Sequence, residues 1–198
     1  MKFHNEDIQT KPPLRDIKQF ISPNPRVVNS AVLFKEHTTT DLKAHAEAIV
    51  QMQHSADTAA FIVDTTACPH IRDDSYLLPL REKLSFPFLR LETMTEIDNI
   101  FDTRLMRFDG QITSPQHFSA KEFYNLVKFA QAQDLFIVPA ILDKEDWKKV
   151  LPVSPKMVYI AADIGETLPP MVKEAGIWLM GEGSLREKYN LKCVVEGF

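Results

Sequence analysis

The chain has 198 residues, a formal net charge of −4, 44% hydrophobic and 25% charged residues, a composition typical of a globular protein with a sizeable core. The acidic balance argues against a dedicated nucleic-acid binder, and two cysteines are too few for a disulfide framework or a standard zinc site. No apolar run is long enough to span a bilayer and the N-terminus has no apolar signal-peptide stretch, so we expect no membrane partner and a cytoplasmic location.

Residues 1–26 are predicted to be a lead-in segment, because Lys11-Pro12-Pro13 and Ser22-Pro23-Asn24-Pro25 interrupt any long helix. Residues 27–198 are predicted to form a single domain in which short apolar runs alternate with amphipathic stretches. Eight runs are candidate strands: Val27–Phe34, Ala60–Val63, Phe86–Leu91, Phe108–Ile112, Leu135–Ile141, Met157–Ala162, Ile177–Met180 and Leu191–Val195.

Most of these runs are continuously apolar, as is typical of parallel strands covered on both faces. The stretches between them carry helix signals. Thr40 or Asp41 can cap a helix over residues 42–50, Ser119 and Glu122 form a capping box, and Asp143 can cap residues 144–150. Gly176 lies where a helix ending at residue 175 would place its first residue beyond the C-terminus.

Repeated strand–helix alternation predicts right-handed βαβ units. Eight strands favour a closed (β/α)₈ TIM barrel, whereas fewer strands would suit a doubly wound sheet. Such barrels normally need about 250 residues, with about 200 as the lower limit. We therefore expect a compact barrel with shortened helices after the third and seventh strands and no helix after the last strand.

In a barrel, chemistry takes place at the C-terminal ends of the strands. Lys35 follows Leu33 by two residues, so both side chains point the same way. A partly buried lysine there can act as a base, form an imine or hold an anion; the alternative is a strand-end lysine in solvent. Asp64 can accept a proton or bind a hydroxyl group, and it can equally cap the next segment.

Arg90 and Glu92 lie two residues apart and face the same side of their strand. They form either a structural ion pair, or a site in which Arg90 binds a substrate anion and Glu92 carries a proton. Glu182 is a further candidate proton carrier. Gly181-Glu182-Gly183-Ser184 is predicted to be a small loop that is either a phosphate cradle or an ordinary turn. Other polar residues assigned to strand ends are Asp109, Gln111 and Asp163.

No cofactor is predicted, because the sequence contains no P-loop and no GxGxxG motif. Cys68-Pro69-His70 followed by Asp73-Asp74 matches no standard metal-ligand spacing, so we interpret that stretch as a loop.

Six segments, which together span about residues 27–185, carry a family resemblance. They are Ala31–Lys35 (AVLFK), Phe86–Leu91 (FPFLRL), Glu96–Asp109 (EIDNIFDTRLMRFD), Phe123–Asp134, Leu135–Leu151 and Lys173–Glu182 (KEAGIWLMGE). In these segments the chain resembles indole-3-glycerol phosphate synthase, a barrel enzyme of tryptophan biosynthesis. The resemblance implies the same barrel, a phosphate-binding site and a lyase reaction that closes an indole ring.

Residue by residue, Lys35 matches the lysine of the family's first strand. Four other functional positions depart from the family pattern. Leu33 replaces a glutamate, Leu91 the general-acid lysine of the third strand, Ala140 the catalytic glutamate of the fifth and Ala161 the asparagine of the sixth. The Gly181 segment aligns either near the family's S-E-S-G motif or with its eighth-strand phosphate loop, and the second alignment requires a deleted strand. We expect the parent reaction to be lost or altered.

Two hypotheses follow. The first is a lyase or isomerase of the phosphosugar-barrel type acting on a small phosphorylated or carboxylated metabolite. Its catalytic candidates are Lys35, Asp64, Glu92 and Glu182, and its substrate-binding candidates are Arg90, Gly181, Gly183 and Ser184. The second is a non-catalytic barrel that binds a ligand or a protein partner. The sequence leaves the oligomeric state open.

Overall fold

The computed structural model describes residues 29–34, 58–67, 81–83, 85–165 and 168–197. Eight strands, all parallel to their neighbours, form a closed barrel in chain order, and β1 pairs with β8. The strands are β1 Asn29–Phe34, β2 Thr58–Asp64, β3 Phe88–Leu91, β4 Gly110–Thr113, β5 Phe136–Ile141, β6 Met157–Ile160, β7 Trp178–Glu182 and β8 Cys193–Gly197. The predicted (β/α)₈ barrel is confirmed, and each predicted apolar run overlaps a strand.

Five helices are described after β3 to β7: α1 Asn99–Leu105, α2 Ala120–Ala132, α3 Asp146–Val150, α4 Pro170–Glu174 and α5 Arg186–Tyr189. Short 3₁₀ turns at Leu151–Val153 and Gly183–Leu185 follow α3 and precede α5. The helices after β3 and β7 have seven and four residues, as short as the sequence predicts. None of the described helices has the length and apolar character needed to cross a bilayer.

The predicted helix signals near residues 119, 143 and 176 all lie at helix ends, although α3 begins at Asp146 rather than at residue 144 and its N-cap is Glu145. Ser119 and Glu122 make both hydrogen bonds of the capping box at the start of α2. Asp143 Oδ1 accepts from the backbone N–H groups of Glu145 and Asp146 at the start of α3. Gly176 has φ of +63°, the left-handed conformation expected just beyond α4. The predicted helix over residues 42–50 and the Cys68–Asp74 stretch lie outside the described residues.

Two apolar layers define which way each strand residue faces. The interior cluster fills the barrel and includes Ile62, Leu89, Ile112, Tyr159 and Met180. The outer cluster lies between strands and helices, and strand residues flanking interior ones belong to it, such as Val158, Ile160 and Leu179. Because successive residues of a strand face opposite sides, membership of one cluster fixes the orientation of the neighbouring polar side chains.

Candidate functional site at the C-terminal mouth of the barrel

Three polar side chains converge inside the C-terminal mouth, from strands β2, β6 and β7. Asp64 lies two residues after Ile62, and Glu182 two residues after Met180, so both face the same side as those interior residues. Tyr159 is itself a member of the interior cluster. We call Asp64, Tyr159 and Glu182 the mouth triad.

Tyr159 is the most buried member of the mouth triad, with 6% of its surface exposed. Burial, and then the negative charges of Glu182 and Asp64, raise the pKa of Tyr159 to about 12. Its hydroxyl therefore stays protonated at neutral pH, and none of the described hydrogen bonds engages it. The hydroxyl oxygen is not fully buried, so this group is available to a ligand in the mouth.

Asp64 and Glu182 differ in what already binds them. Asp64 Oδ1 accepts from the backbone N–H groups of Thr66 and Ala67, each at 3.0 Å, which is the capping role that the sequence suggested as one alternative. Asp64 is half-buried, whereas Glu182 is exposed at the rim as the last residue of β7. Both carboxylates thus border the same opening, at different depths.

The floor of the mouth is apolar. Ala140 belongs to the interior cluster, and Leu91 and Ala161 pack against it. These three positions are the ones at which the resembled family has its lysine, glutamate and asparagine. Their side chains here offer no proton and no hydrogen bond to a ligand.

Arg90 and Glu92 lie elsewhere. Leu89 faces the interior, so Arg90 faces outward, where its NH1 donates to Thr103 Oγ1 of α1 at 2.9 Å and its Nε to Thr65 Oγ1 at 3.1 Å. Its NH2 forms an ion pair with Glu92 Oε2 at 2.5 Å. Arg90 and Glu92 therefore form an ion pair on the outer side of their strand.

Two further contacts extend this arrangement. Gln111 Nε2 donates to the Glu92 carbonyl at 2.6 Å, and the Thr103 hydroxyl donates to Gln111 Oε1. We call Thr65, Arg90, Glu92, Thr103 and Gln111 the outer polar network. It joins the ends of β2, β3 and β4 to α1 outside the barrel, so these side chains do not line the mouth.

The assignment of Asp109 to the C-terminal end of the fourth strand is wrong. β4 begins at Gly110, two residues later than the predicted start, so Asp109 lies at the opposite end of the barrel. There its carboxylate accepts from Arg81 at 2.7 and 2.8 Å and from the Phe88 backbone N–H at 2.8 Å.

Gly181 and Glu182 are the last residues of β7 rather than part of a loop, and Gly183 and Ser184 begin the following 3₁₀ turn. Because β8 follows, the segment belongs to the seventh strand and no strand is deleted. A Cβ on Gly181 would come within 3.0 Å of the Ile160 carbonyl oxygen, so close strand packing accounts for this glycine.

Asp163, in the segment after β6, accepts from the Tyr189 hydroxyl at 2.7 Å, from the Gly165 backbone N–H at 2.9 Å and from Lys188. These bonds, that from Lys188 foremost, hold the pKa of Asp163 well below its usual range. They tie this segment to α5. Lys35 lies outside the described residues. Among the described residues, no three His, Cys, Asp or Glu side chains cluster as a metal site would require.

Tyr159 was missed by the sequence analysis. It lies within the apolar run Met157–Ala162, where a tyrosine is indistinguishable from a packing residue. The only available signal was its position two residues before Ala161, which the family resemblance already assigned to the site.

No known family model matches the chain. Over 159 residues it is 20% identical to an indole-3-glycerol phosphate synthase of Carboxydothermus hydrogenoformans, a match that covers 75% of this chain and 60% of the synthase. The chain thus spans less than two thirds of the length of that relative.

Solved structures share the fold at much lower identity. Orotidine 5′-monophosphate decarboxylase of Sulfolobus solfataricus superposes with a TM-score of 0.66 at 8% identity over 86% of this chain and 88% of that chain. For 3-keto-L-gulonate-6-phosphate decarboxylase of Vibrio cholerae the TM-score is 0.61 and the identity 14%, over 86% of this chain and 88% of that chain. For thiamine phosphate pyrophosphorylase of Pyrococcus furiosus the TM-score is 0.56 and the identity 11%, over 87% of each chain. The chain has the barrel fold of these proteins, whose names all contain a phosphorylated compound.

Proposed function

We propose that this chain binds a small phosphorylated metabolite in the C-terminal mouth of its barrel, and that the ring-closing reaction of indole-3-glycerol phosphate synthase is lost or altered. The observation that carries the proposal is the mouth triad of Asp64, Tyr159 and Glu182 above an apolar floor. A concave site with a few convergent polar groups on apolar walls is typical of small-molecule binding. The barrel neighbours named for phosphorylated compounds support the choice of ligand class.

The phosphate requires positive charge or N–H donors, which the mouth triad lacks. We assign this role to Lys35, which follows β1 directly, with the backbone of Gly183 and Ser184 after β7. Phosphate sites in barrels of this kind often follow strands seven and eight, which supports the second assignment. If the barrel is a lyase or isomerase, Asp64 and Glu182 are the proton carriers, because both border the mouth.

Loss of the parent reaction is proposed from Leu91, Ala140 and Ala161. That reaction needs a cationic acid at the substrate carbonyl and a carboxylate to move protons. Removing one such group commonly costs a factor of about 10² to 10⁴ in rate. Purified protein is therefore expected to show no turnover of the indole-glycerol precursor above background, and measurable turnover would contradict this part of the proposal.

Ligand binding is tested by thermal shift with a panel of ribulose- and glycerol-phosphate compounds. A ligand at about 100 times its Kd stabilises the folded state by about 2.7 kcal/mol, which at this size corresponds to a rise in Tm of about 5–10 °C. Lys35→Ala should abolish the shift, whereas Lys121→Ala, an exposed lysine on α2, should retain it. A panel without any shift would refute the ligand class, and a full shift in Lys35→Ala would refute the site.

The apolar floor also favours the second hypothesis, a barrel that binds without catalysis. Under that hypothesis the thermal shift persists, but incubation with the bound compound yields no product by mass spectrometry. Product formation abolished by Asp64→Asn or Glu182→Gln would identify an enzyme instead.

A further inference from the structure

We propose that the mouth triad is a specificity device: Tyr159, flanked by Asp64 and Glu182, selects a ligand whose non-phosphate end carries hydroxyl groups and rejects one that carries a carboxylate there. This inference rests on the proposed function, since it describes the other end of the same ligand.

The first step of the argument is charge. Asp64 and Glu182 are carboxylates at the ends of β2 and β7, both bordering one opening, and Lys35 is assigned to the phosphate. A third carboxylate beside them would lose hydration in a partly buried site and meet two like charges. Like-charge placement of this kind is a recognised means of excluding wrong partners.

The second step is hydrogen bonding. Ionised carboxylates only accept hydrogen bonds, so the ligand group between them must donate. Tyr159 is buried as a residue, its hydroxyl oxygen is not fully buried, and the hydroxyl keeps its proton at neutral pH, so it both donates and accepts. A ligand hydroxyl also does both, and it therefore matches all three side chains, whereas an ammonium group could not accept from Tyr159.

The third step is position. Tyr159 lies opposite Ala140 on β5 and Met180 on β7 in the strand register, both of which are apolar interior residues. An apolar surround strengthens a single polar contact and penalises an unmatched one. Tyr159 is therefore placed to discriminate between ligands rather than only to fill space.

The experiment compares glycerol 3-phosphate with 3-phosphoglycerate, which differ only in a hydroxymethyl group against a carboxylate at one end. Isothermal titration of the full chain at neutral pH should give at least about a tenfold lower Kd for glycerol 3-phosphate. Glu182→Gln should reduce the ratio of the two Kd values by strengthening the binding of 3-phosphoglycerate. Tyr159→Phe should raise the Kd of glycerol 3-phosphate by about 2- to 10-fold.

Two matched variants serve as controls. Glu187→Gln on α5 and Tyr124→Phe on α2 alter exposed residues outside the mouth and should leave both Kd values unchanged. Glu182 is exposed, so Glu182→Gln remains informative even if Tyr159→Phe perturbs folding.

The outcomes separate the two proposals. Equal or tighter binding of 3-phosphoglycerate, or an unchanged ratio in Glu182→Gln, would overturn the specificity device and leave the proposed function standing. If neither compound binds and no member of the phosphorylated panel binds, the proposed function and the specificity device are both overturned.

Discussion

Arg81 and Asp109 form a buried ion pair at the N-terminal end of the barrel, with 6% and 0% of their side chains exposed. Two guanidinium nitrogens bind the two carboxylate oxygens, the geometry in which an ion pair is strongest. Arg81→Met is expected to lower the free energy of unfolding by about 3–5 kcal/mol, because the buried Asp109 carboxylate loses this partner.

Urea denaturation measures this loss. Lys148→Met serves as the comparison, because Lys148 pairs with Glu145 in an exposed position and should change the free energy of unfolding by less than about 1 kcal/mol. Equal effects of the two substitutions would show that burial of the Arg81–Asp109 pair adds nothing to the free energy of unfolding.

Gly110 opens β4 at a point where the next strand passes very close. A Cβ there would come within 2.6 Å of the Phe136 carbonyl oxygen and 2.9 Å of Leu89 Cδ2. Gly110→Ala is expected to destabilise the fold by about 1–3 kcal/mol, since backbone and core must both shift. At Gly183 a Cβ would have only an ordinary contact of 3.5 Å, with Val194. Gly183→Ala should leave the Tm nearly unchanged, and a comparable fall in Tm for both variants would contradict the packing argument.

At the residue scale, the chemistry of the site depends on which side of a strand each side chain faces. Arg90 and Glu182 both lie near strand ends, yet Arg90 faces α1 and Glu182 faces the mouth. The runs around them are apolar on both sides, so the sequence carries no alternation from which orientation could be predicted. For the same reason Tyr159 looked like a packing residue.

Among the elements, α2 has the clearest local signal. The Ser119 hydroxyl accepts from the Glu122 backbone N–H, and Glu122 accepts from the Ser119 backbone N–H. Ser119→Ala is expected to cost about 1 kcal/mol in the free energy of unfolding, measured in urea. Ser85→Ala, an exposed serine outside the helices, should cost much less.

The same capping box gives a dependence on pH. The hydrogen bond from the Ser119 backbone N–H, and then that involving the Ser119 side chain, lower the pKa of Glu122. A carboxyl with a lowered pKa in the folded state stabilises it above the unfolded pKa and loses this contribution as the pH falls through the folded value. Glu122→Gln should therefore reduce stability at neutral pH and have a smaller effect at about pH 3. An equal effect at both pH values would contradict an ionised cap.

Elements with strong local signals were predictable, and those set by neighbours were not. The capping box fixed the start of α2 within the sequence itself. The start of β4 depends instead on where β3 and β5 leave hydrogen-bonding partners, and the run Phe108–Ile112 begins too early because Phe108 is buried outside the strand. Asp109 lies near the N-terminal end of the predicted run as well as of the observed strand, so its assignment to the C-terminal end was a separate error.

At the scale of the whole molecule, Cys193 reports on barrel closure. It is fully buried at the start of β8, where it packs in the interior cluster, and burial raises the pKa of its thiol to about 12. Alkylation by iodoacetamide at neutral pH should be at least about 1,000-fold slower in the folded chain than in urea, because the thiolate is scarce and inaccessible. Peptide mapping distinguishes Cys193 from Cys68, and rapid labelling of Cys193 in the native chain would argue against a tightly closed barrel.

The architecture was predictable because it follows from the number and order of apolar runs, which the sequence states directly. Closure between β1 and β8 needs eight such runs, and the sequence contains them. The mouth was less predictable because it depends on side chains brought together from strands far apart in the chain, such as Asp64 and Glu182.

The outer polar network has a consequence for how this sequence can diverge. Apolar contacts between a helix and a sheet tolerate exchange of one aliphatic residue for another, whereas Arg90, Glu92, Thr103 and Gln111 satisfy one another through directional bonds. Replacing any one of them leaves the hydrogen-bonding groups of its partners without a partner in a mostly buried position. We expect these positions to change together or not at all, so that in an evolving lineage they would be inherited as a block while the aliphatic residues around them drift independently.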